Sequence, residues 1–275
     1  MSFQPNVGVI GIGFVGSAMV DSFKLKGLEV KCYDKFKDGG IGSLAEMIHC
    51  ELLFLCLPTP FNSELKEYDK SAIYEVCQQL HEESFRGIAV IKSTIEIGTM
   101  IYLKDNYPLK YIHNPEFLTA RTAAEDFHNQ THIVLGIGNT VTNIDVHYLH
   151  TFYDKFYPNT PISICDVNES EAMKLFCNCF YATKVQFFNE IYCLCEKMDI
   201  CYNNVKDLMI GNKWIHPMHT LVPGTDGQLS YGGYCFPKDT NALNELMIKY
   251  DSPNMVLNAA IEERNTMRED NDNCS

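Results

Sequence analysis

The 275-residue sequence contains no run approaching the roughly 18 uninterrupted apolar residues of a membrane-spanning helix, so none of it is expected to cross a membrane. Its opening, MSFQPNVGVIGIG, has no basic residue ahead of the first apolar run, which speaks against a secretory leader and for a cytoplasmic protein. Positive charge is scarce. Against 35 Asp and Glu there are 22 Lys and Arg, a formal net charge of -13 whose field repels nucleic acids and anionic membranes. Also missing are Cys-x-x-Cys pairs and His residues at finger spacing, so the 12 cysteines carry no metal signature. In a chain too large to need disulfide staples they read as buried thiols of a reducing compartment. The C-x-C pairs Cys177/Cys179 and Cys193/Cys195 fall in helical-looking sequence, where alternate residues diverge. Internal repeats, low-complexity segments and the composition of disorder are absent too. Hydrophobic residues make up 46% of the chain and charged residues 21%, which is ordinary globular usage.

What is present is a rhythm. Short bounded apolar runs at 7 to 12, 28 to 33, 51 to 57, 87 to 91, 109 to 112 and 132 to 137 read as buried strands. Helical patterns at 14 to 26, 43 to 49, 69 to 82 and 97 to 106 alternate with them, predicting a Rossmann-like, doubly wound parallel α/β sheet. After a last strand-like piece at 161 to 166 the rhythm changes. Asn168 to Met198 has no Gly or Pro and reads as one long helix capped near 166 to 168. Along it Ala172, Leu175, Phe176, Cys179, Phe180, Thr183, Phe187, Ile191, Leu194 and Met198 recur at threes and fours, predicting a broad buried stripe. A short helix at 203 to 210, an irregular loop at 215 to 234 and helices at 236 to 250 and 253 to 268 complete a mainly helical second domain. The expected boundary divides a domain at 1 to 166 from one at 167 to 275.

The first strand ends in Gly11-Ile12-Gly13-Phe14-Val15-Gly16, a G-x-G-x-x-G between strand and helix, the context a dinucleotide fingerprint requires. Gly11 permits the tight turn, Gly13 lets backbone approach a pyrophosphate at the positive helix end, and Gly16 allows close helix-sheet contact. Asp34 closes the second strand, where its carboxylate can accept ribose hydroxyls and its charge favours NAD over NADP. The second informative stretch is Tyr231-Gly232-Gly233-Tyr234-Cys235-Phe236-Pro237-Lys238-Asp239. Pro237 suits a first helical turn, which puts Cys235 at a helix start, where a thiolate beside Lys238 is favoured. Asp239 falls one turn later on the same face. On these residues alone, a buried helix-start cysteine is as good a reading as a nucleophile.

With further segments in the same order, the sequence resembles the UDP-glucose/GDP-mannose dehydrogenase family, most closely its UDP-glucose-oxidising members. The segments are Leu57-Pro58-Thr59-Pro60, Lys92-Ser93-Thr94, Asn114-Pro115-Glu116-Phe117-Leu118, Glu171 to Asn178, Phe188-Asn189-Glu190, Val222-Pro223-Gly224 and Gly232 to Asp239. The resemblance implies oxidation of UDP-glucose to UDP-glucuronate for polysaccharide biosynthesis, in two steps that reduce two NAD, and a homodimer. It implies that Cys235 holds the substrate as thiohemiacetal and then thioester. Lys174 and Asn178, spaced i, i+4, would stabilise the oxyanion; otherwise Lys174 is half of a surface pair with Glu171. Asp239 would position water and take up protons, Glu116 would assist hydrolysis, and Thr94 would hold the water or alcohol. NAD contacts would come from Gly11, Gly13, Phe14, Val15, Gly16, Asp34, Lys35, Pro58, Thr59, Thr94 and Lys238. Substrate contacts would come from Glu116, Phe117, Leu118, Lys174, Asn178, Tyr231, Gly232 and Gly233. No metal is implied.

The sequence departs from the family pattern in three places. It stops short of the family's third α/β domain, so the expectation is that UDP is held by the central region, chiefly the 215 to 234 loop, or by that region together with groups from a second subunit. Met209 stands where an Arg is usual, and Ala120 where a Glu is usual. Two other readings are a dehydrogenase for another nucleotide sugar, such as UDP-N-acetylglucosamine or GDP-mannose, and a catalytically silent NAD-binding protein.

Overall fold

The segments 7–10, 52–55 and 88–91 are apolar and buried at all four positions, which is how a strand covered on both faces must read. A computed structural model describes residues 3–268. Its strands are β1 (Val7–Ile10), β2 (Val30–Tyr33), β3 (Leu52–Leu55), β4 (Phe61–Asn62), β5 (Glu67–Tyr68), β6 (Ile88–Ile91), β7 (Lys110–His113), β8 (Ile133–Ile137) and β9 (Ile162–Asp166). The helices are α1 (Phe14–Leu25), α2 (Leu44–Met47), α3 (Ser71–Glu82), α4 (Thr99–Asn106), α5 (Ala123–His128), α6 (Asn143–Phe156), α7 (Val167–Lys197), α8 (Tyr202–Gly211), α9 (Cys235–Lys249) and α10 (Met255–Met267). They divide into two compact units: 1–59 with 70–174, and 60–69 with 175–275.

The first unit carries a seven-stranded sheet in the order β2-β1-β3-β6-β7-β8-β9. Alternation along its strands feeds two cores. Val7 and Val9, Leu52 and Phe54, and Ile88 and Val90 face a cluster with Phe23, Phe127, Leu149 and Phe152 from α1, α5 and α6. Ile10, Leu53, Leu55, Ala89 and Ile91 face Met47, Ile73, Leu80 and Leu103 from α2, α3 and α4. The sheet is doubly wound, with one departure from the expected parallel pattern: β7 and β8 pair antiparallel, Ile112 opposite Ile137. The intervening segment holds a 3-10 turn at Ala120–Thr122 and the six-residue α5, and an antiparallel return needs no crossover helix. β8 then pairs parallel with β9, after the longer α6. A capping box starts α6, with Thr142 and Asp145 each accepting the other's backbone N–H.

The second unit is built on α7 from Leu175 onward, with α8, α9, α10 and the small antiparallel β4–β5 hairpin, which sequence periodicity did not reveal. Asp166 caps α7, its Oδ1 accepting the Asn168 N–H at 2.8 Å. Leu175 and Cys179 join Phe61, Tyr68, Ala242, Leu243 and Leu257 in one cluster, and Phe188 and Cys195 join Tyr202 and Val222 in another. The expected single buried stripe on α7 is corrected. Phe176, Phe180, Phe187, Leu194 and Met198 are exposed, with relative accessibilities of 49 to 66%. At about 100° per residue they form a second apolar face, turned roughly a quarter circle from Leu175 and Cys179. Met209 rests against the Phe188 cluster as an apolar side chain. None of the eleven described cysteines forms a disulfide, and among the described residues no helix is long and apolar enough to cross a membrane.

Candidate active site

In the first unit, the glycine turn and Asp34 are assembled by backbone. Gly11 has φ of +87°, and a Cβ there would meet the Cys56 carbonyl oxygen at 2.4 Å. A Cβ on Gly16 would lie 1.9 Å from the Gly11 oxygen, so only glycine lets α1 seat this close to the turn. Around Gly13 the space is open: no heavy atom lies within 4 Å of a Cβ, and no side chain caps α1. An uncapped helix N-terminus with open space above it fits a pyrophosphate. Phe14, the first residue of α1, is exposed beside this opening, while Val15 tucks against the core.

Asp34 Oδ2 accepts the Ile12 N–H at 2.7 Å, and Oδ1 accepts those of Phe36 and Lys37 at 2.9 Å. Partial burial works to raise its pKa, but the three backbone donors, with the Lys37 charge, outweigh it and hold the carboxyl below its ordinary value. An anionic acceptor beside the turn fits ribose hydroxyls and disfavours a 2′-phosphate. Lys35 reaches instead to Glu75 at 2.7 Å. The cation at the glycine turn is Lys37, whose Nζ donates to the Ile12 carbonyl and to Ser17 Oγ. Sequence reasoning did not single it out, because a lysine three residues past Asp34 leaves no periodic trace.

At the carboxyl ends of β3 and β6 the two connecting loops are tied together. Thr59 Oγ1 donates to the Thr94 carbonyl at 2.8 Å, and Ser93 Oγ to that of Leu57 at 2.7 Å. Thr59 and Thr94 are buried, and Pro58 is exposed beside them. Below, Lys92 Nζ donates to Asn114 Oδ1 at 3.1 Å, and the Tyr153 hydroxyl donates to the same oxygen. Burial pushes Lys92 down to about 8. This network fixes the turn that presents Glu116. Glu116 Oε2 accepts the Leu118 N–H at 2.7 Å, and Oε1 lies 3.8 Å from Lys174 Nζ. The Lys174 ammonium also stands 5.2 Å from the centroid of Phe117, whose ring stacks on His132. The sequence thus leads to Lys174, Glu116 and Phe117 as one group.

Glu171 is not a surface partner of Lys174. Fully buried, it accepts the N–H groups of Gly98 and Met100 at 2.7 and 2.8 Å, capping the start of α4. Burial pushes it up to about 7 despite these donors, with the Asp166 charge adding to the rise.

The second unit brings together residues from three separated segments around Asp239, which is completely buried. Its Oδ2 accepts Asn178 Nδ2 at 2.6 Å, and its Oδ1 accepts both Lys238 Nζ and Tyr68 Oη at 2.5 Å. The Lys238 ammonium also sits 4.2 Å from the Tyr68 ring centroid. Cys235 is the first residue of α9, exposed, one turn before Asp239. The lead-in is gripped by α10 and by the residue that follows it. Arg264 Nε donates to the Tyr231 carbonyl, and Arg268 donates to Asp226 and to the carbonyls of Leu229 and Ser230. A Cβ on Gly232 would collide with the Arg268 guanidinium at 2.2 Å, and Gly233 has φ of +75°. Tyr231 lies buried in this grip. Tyr68, Arg264 and Arg268 had no local signature in the sequence.

The NAD binding domain of the UDP-glucose/GDP-mannose dehydrogenase family matches residues 42–157, and the central domain of the same family matches 168–266. The UDP-glucose 6-dehydrogenase of Rickettsia conorii is 31% identical over 79% of this chain and 49% of its own length. The chain spans about half the length of the curated UDP-glucose 6-dehydrogenases it matches. Two solved structures share the fold. A UDP-glucose dehydrogenase from Pyrobaculum islandicum, 21% identical, superposes with a TM-score of 0.81 over 96% of this chain and 69% of that one. A GDP-mannose dehydrogenase from Pseudomonas aeruginosa, also 21% identical, gives 0.65 over 95% and 69%.

Proposed function

Because the chain belongs to the UDP-glucose/GDP-mannose dehydrogenase family, with NAD as the cofactor of its first domain, we propose that it oxidises the C6 alcohol of UDP-glucose to the carboxylate. The observation that carries this reading is an exposed cysteine at the start of α9, one turn from a buried carboxylate with three side-chain donors. In the proposed chemistry, NAD bound at the glycine turn supplies the hydride acceptor. Cys235 holds the C6 carbon covalently, as a thiohemiacetal and then a thioester, so that the aldehyde does not escape between the two oxidations. Lys174 and Asn178 donate to the oxygen on which charge develops. Thr94 holds the alcohol or the attacking water, and Glu116 assists hydrolysis. Water then bonds to the thioester carbon, the C–S bond breaks and the thiolate leaves, with Asp239 orienting Asn178 and taking up a proton.

We assign NAD binding to the unit of 1–59 with 70–174, which runs past the boundary expected at 166, and the catalytic cysteine and dimerisation to the unit of 60–69 with 175–275, in a cytoplasmic enzyme. The exposed apolar face of α7 supports a homodimer formed through that helix. Sedimentation at micromolar concentration should give a dimer that Phe180→Glu dissociates. A wild-type chain sedimenting as a monomer overturns that part.

A panel of UDP-glucose, UDP-N-acetylglucosamine and GDP-mannose, followed by NADH absorbance, tests the reading. UDP-glucose should give the fastest turnover with two NADH per sugar. One NADH per sugar would exclude the thioester route, and preference for another sugar would replace the substrate. No NADH with any sugar would leave an NAD-binding protein.

A further inference from the structure

The β4–β5 hairpin lies between β3 and α3 in the chain, yet belongs to the second unit. It is short and tightly made. Asn62 Oδ1 accepts the N–H groups of Glu64 and Leu65, Lys66 turns the chain with φ of 57°, and Phe61 pairs with Tyr68. Two of its side chains reach α9. Lys66 meets Glu245 at 3.2 Å on the surface, and Tyr68 passes inward to Asp239. Tyr68 is 1% exposed and contributes to the same cluster as Leu175, Cys179, Ala242 and Leu243.

We propose that Tyr68 is a positioning residue that holds the Asp239 carboxylate in the orientation from which it aims Asn178 and Lys238. A carboxylate offers about four acceptor positions, and three are taken by Tyr68 and Lys238 on Oδ1 and by Asn178 on Oδ2. The charged and titratable groups facing Asp239 are Tyr68 from β5, Lys238 from its own helix and Cys179 from α7, whose Sγ lies 3.2 Å from the Asp239 carbonyl oxygen. Lys238 alone is a flexible point charge and does not fix the plane of a carboxylate. The rigid phenol, clamped between the Lys238 ammonium and the apolar cluster, supplies a second direction on Oδ1. With that oxygen fixed, Oδ2 and hence the Asn178 amide are fixed as well. The catalytic half of this inference rests on the function proposed above, whereas the coupling of Tyr68 to Asp239 does not.

The test uses Tyr68→Phe, which keeps the ring and removes the hydroxyl. In protein carrying carboxyl-13C aspartate, the Asp239 resonance, assigned through Asp239→Asn, should move in Tyr68→Phe while those of Asp34 and Asp145 stay in place. Turnover of UDP-glucose per folded molecule should fall about ten- to a hundredfold, the loss expected for one hydrogen bond to a charged group, with KM held, whatever the shift in melting temperature. A purely structural role would lower the melting temperature and leave kcat per folded molecule alone, and that result overturns the proposal. An unmoved Asp239 resonance overturns it too, even if the wild type proves inactive on nucleotide sugars; inactivity on its own counts against the proposed function. Should Tyr68→Phe fold poorly, 3,5-difluorotyrosine placed at 68 keeps the hydroxyl and strengthens its donation. The Asp239 resonance must then still move, and its failure to do so refutes the coupling.

Discussion

The candidate groups of the two units are made of different material. Around Gly11, Gly13, Gly16 and Asp34, recognition groups are backbone atoms brought together within one β-α-β passage, and Asp34 is held by three main-chain donors. Around Asp239 the groups are side chains from residues 68, 178, 238 and 239, and among the described residues no main-chain donor touches the carboxylate. Main-chain geometry is set by sterics that a short motif can encode. A side-chain assembly depends on long-range folding to bring its members within bonding distance.

The largest expected effect falls on the second unit alone. Cys235→Ser exchanges a thiol for a hydroxyl of much higher pKa, so steady-state turnover should fall by at least about a thousandfold while calorimetric NAD affinity is unchanged. Normal turnover in that variant would remove Cys235 from the chemistry. Within the backbone-built half, two glycine substitutions should behave oppositely. Gly16→Ala, whose Cβ meets a carbonyl oxygen at 1.9 Å, should cost about 3 kcal/mol of stability or more. Gly13→Ala, whose Cβ meets nothing within 4 Å, should cost about 1 kcal/mol or less yet still weaken NAD binding. Equal melting temperatures for the two would contradict the turn geometry.

Glu171 joins the comparison as a side chain that caps a backbone end. Its pKa, raised from 4.5 to about 7, means that the folded state holds its proton more tightly than the unfolded chain does. Its contribution to stability is therefore fully present below about pH 4.5 and is lost as pH rises through 7, by up to about 3 kcal/mol. Denaturant melts of Glu171→Gln should lack that slope; a slope identical to the wild type would place the titration elsewhere. Asp34→Ala removes one charge-assisted acceptor and should weaken NAD binding by about 2 kcal/mol with turnover chemistry intact. Unchanged affinity would separate Asp34 from the ribose.

The same contrast explains what could be read from the sequence. The strands from β1 to β9 that form the sheet, α7, and the start of α9 at Cys235 each follow from local pattern, and so do the glycine turn and Asp34. Three things did not follow. The exposed second face of α7 carries the same three-four spacing as its buried face, and spacing does not say which apolar residues another surface covers. The reversal between β7 and β8 depends on how the chain returns, which strand composition does not record. Tyr68 sits 171 residues from Asp239, in a two-residue strand too short for periodicity. Lys37, Arg264 and Arg268 were missed for a similar reason: each is a single long side chain whose target lies outside its own element.

The hairpin at 60–69 also bears on inheritance. Because the chain enters the second unit, leaves it and enters again, no single breakpoint in the gene separates the two units. A recombination joining a foreign segment after residue 174 would bring in α8, α9, α10 and most of α7 while keeping the old hairpin. The incoming Asp239 would then meet whichever residue the resident gene encodes at position 68. Exchange between distant lineages should succeed mainly where the two parents already agree at that position, so the small hairpin acts as a compatibility test on which central regions the chain can acquire.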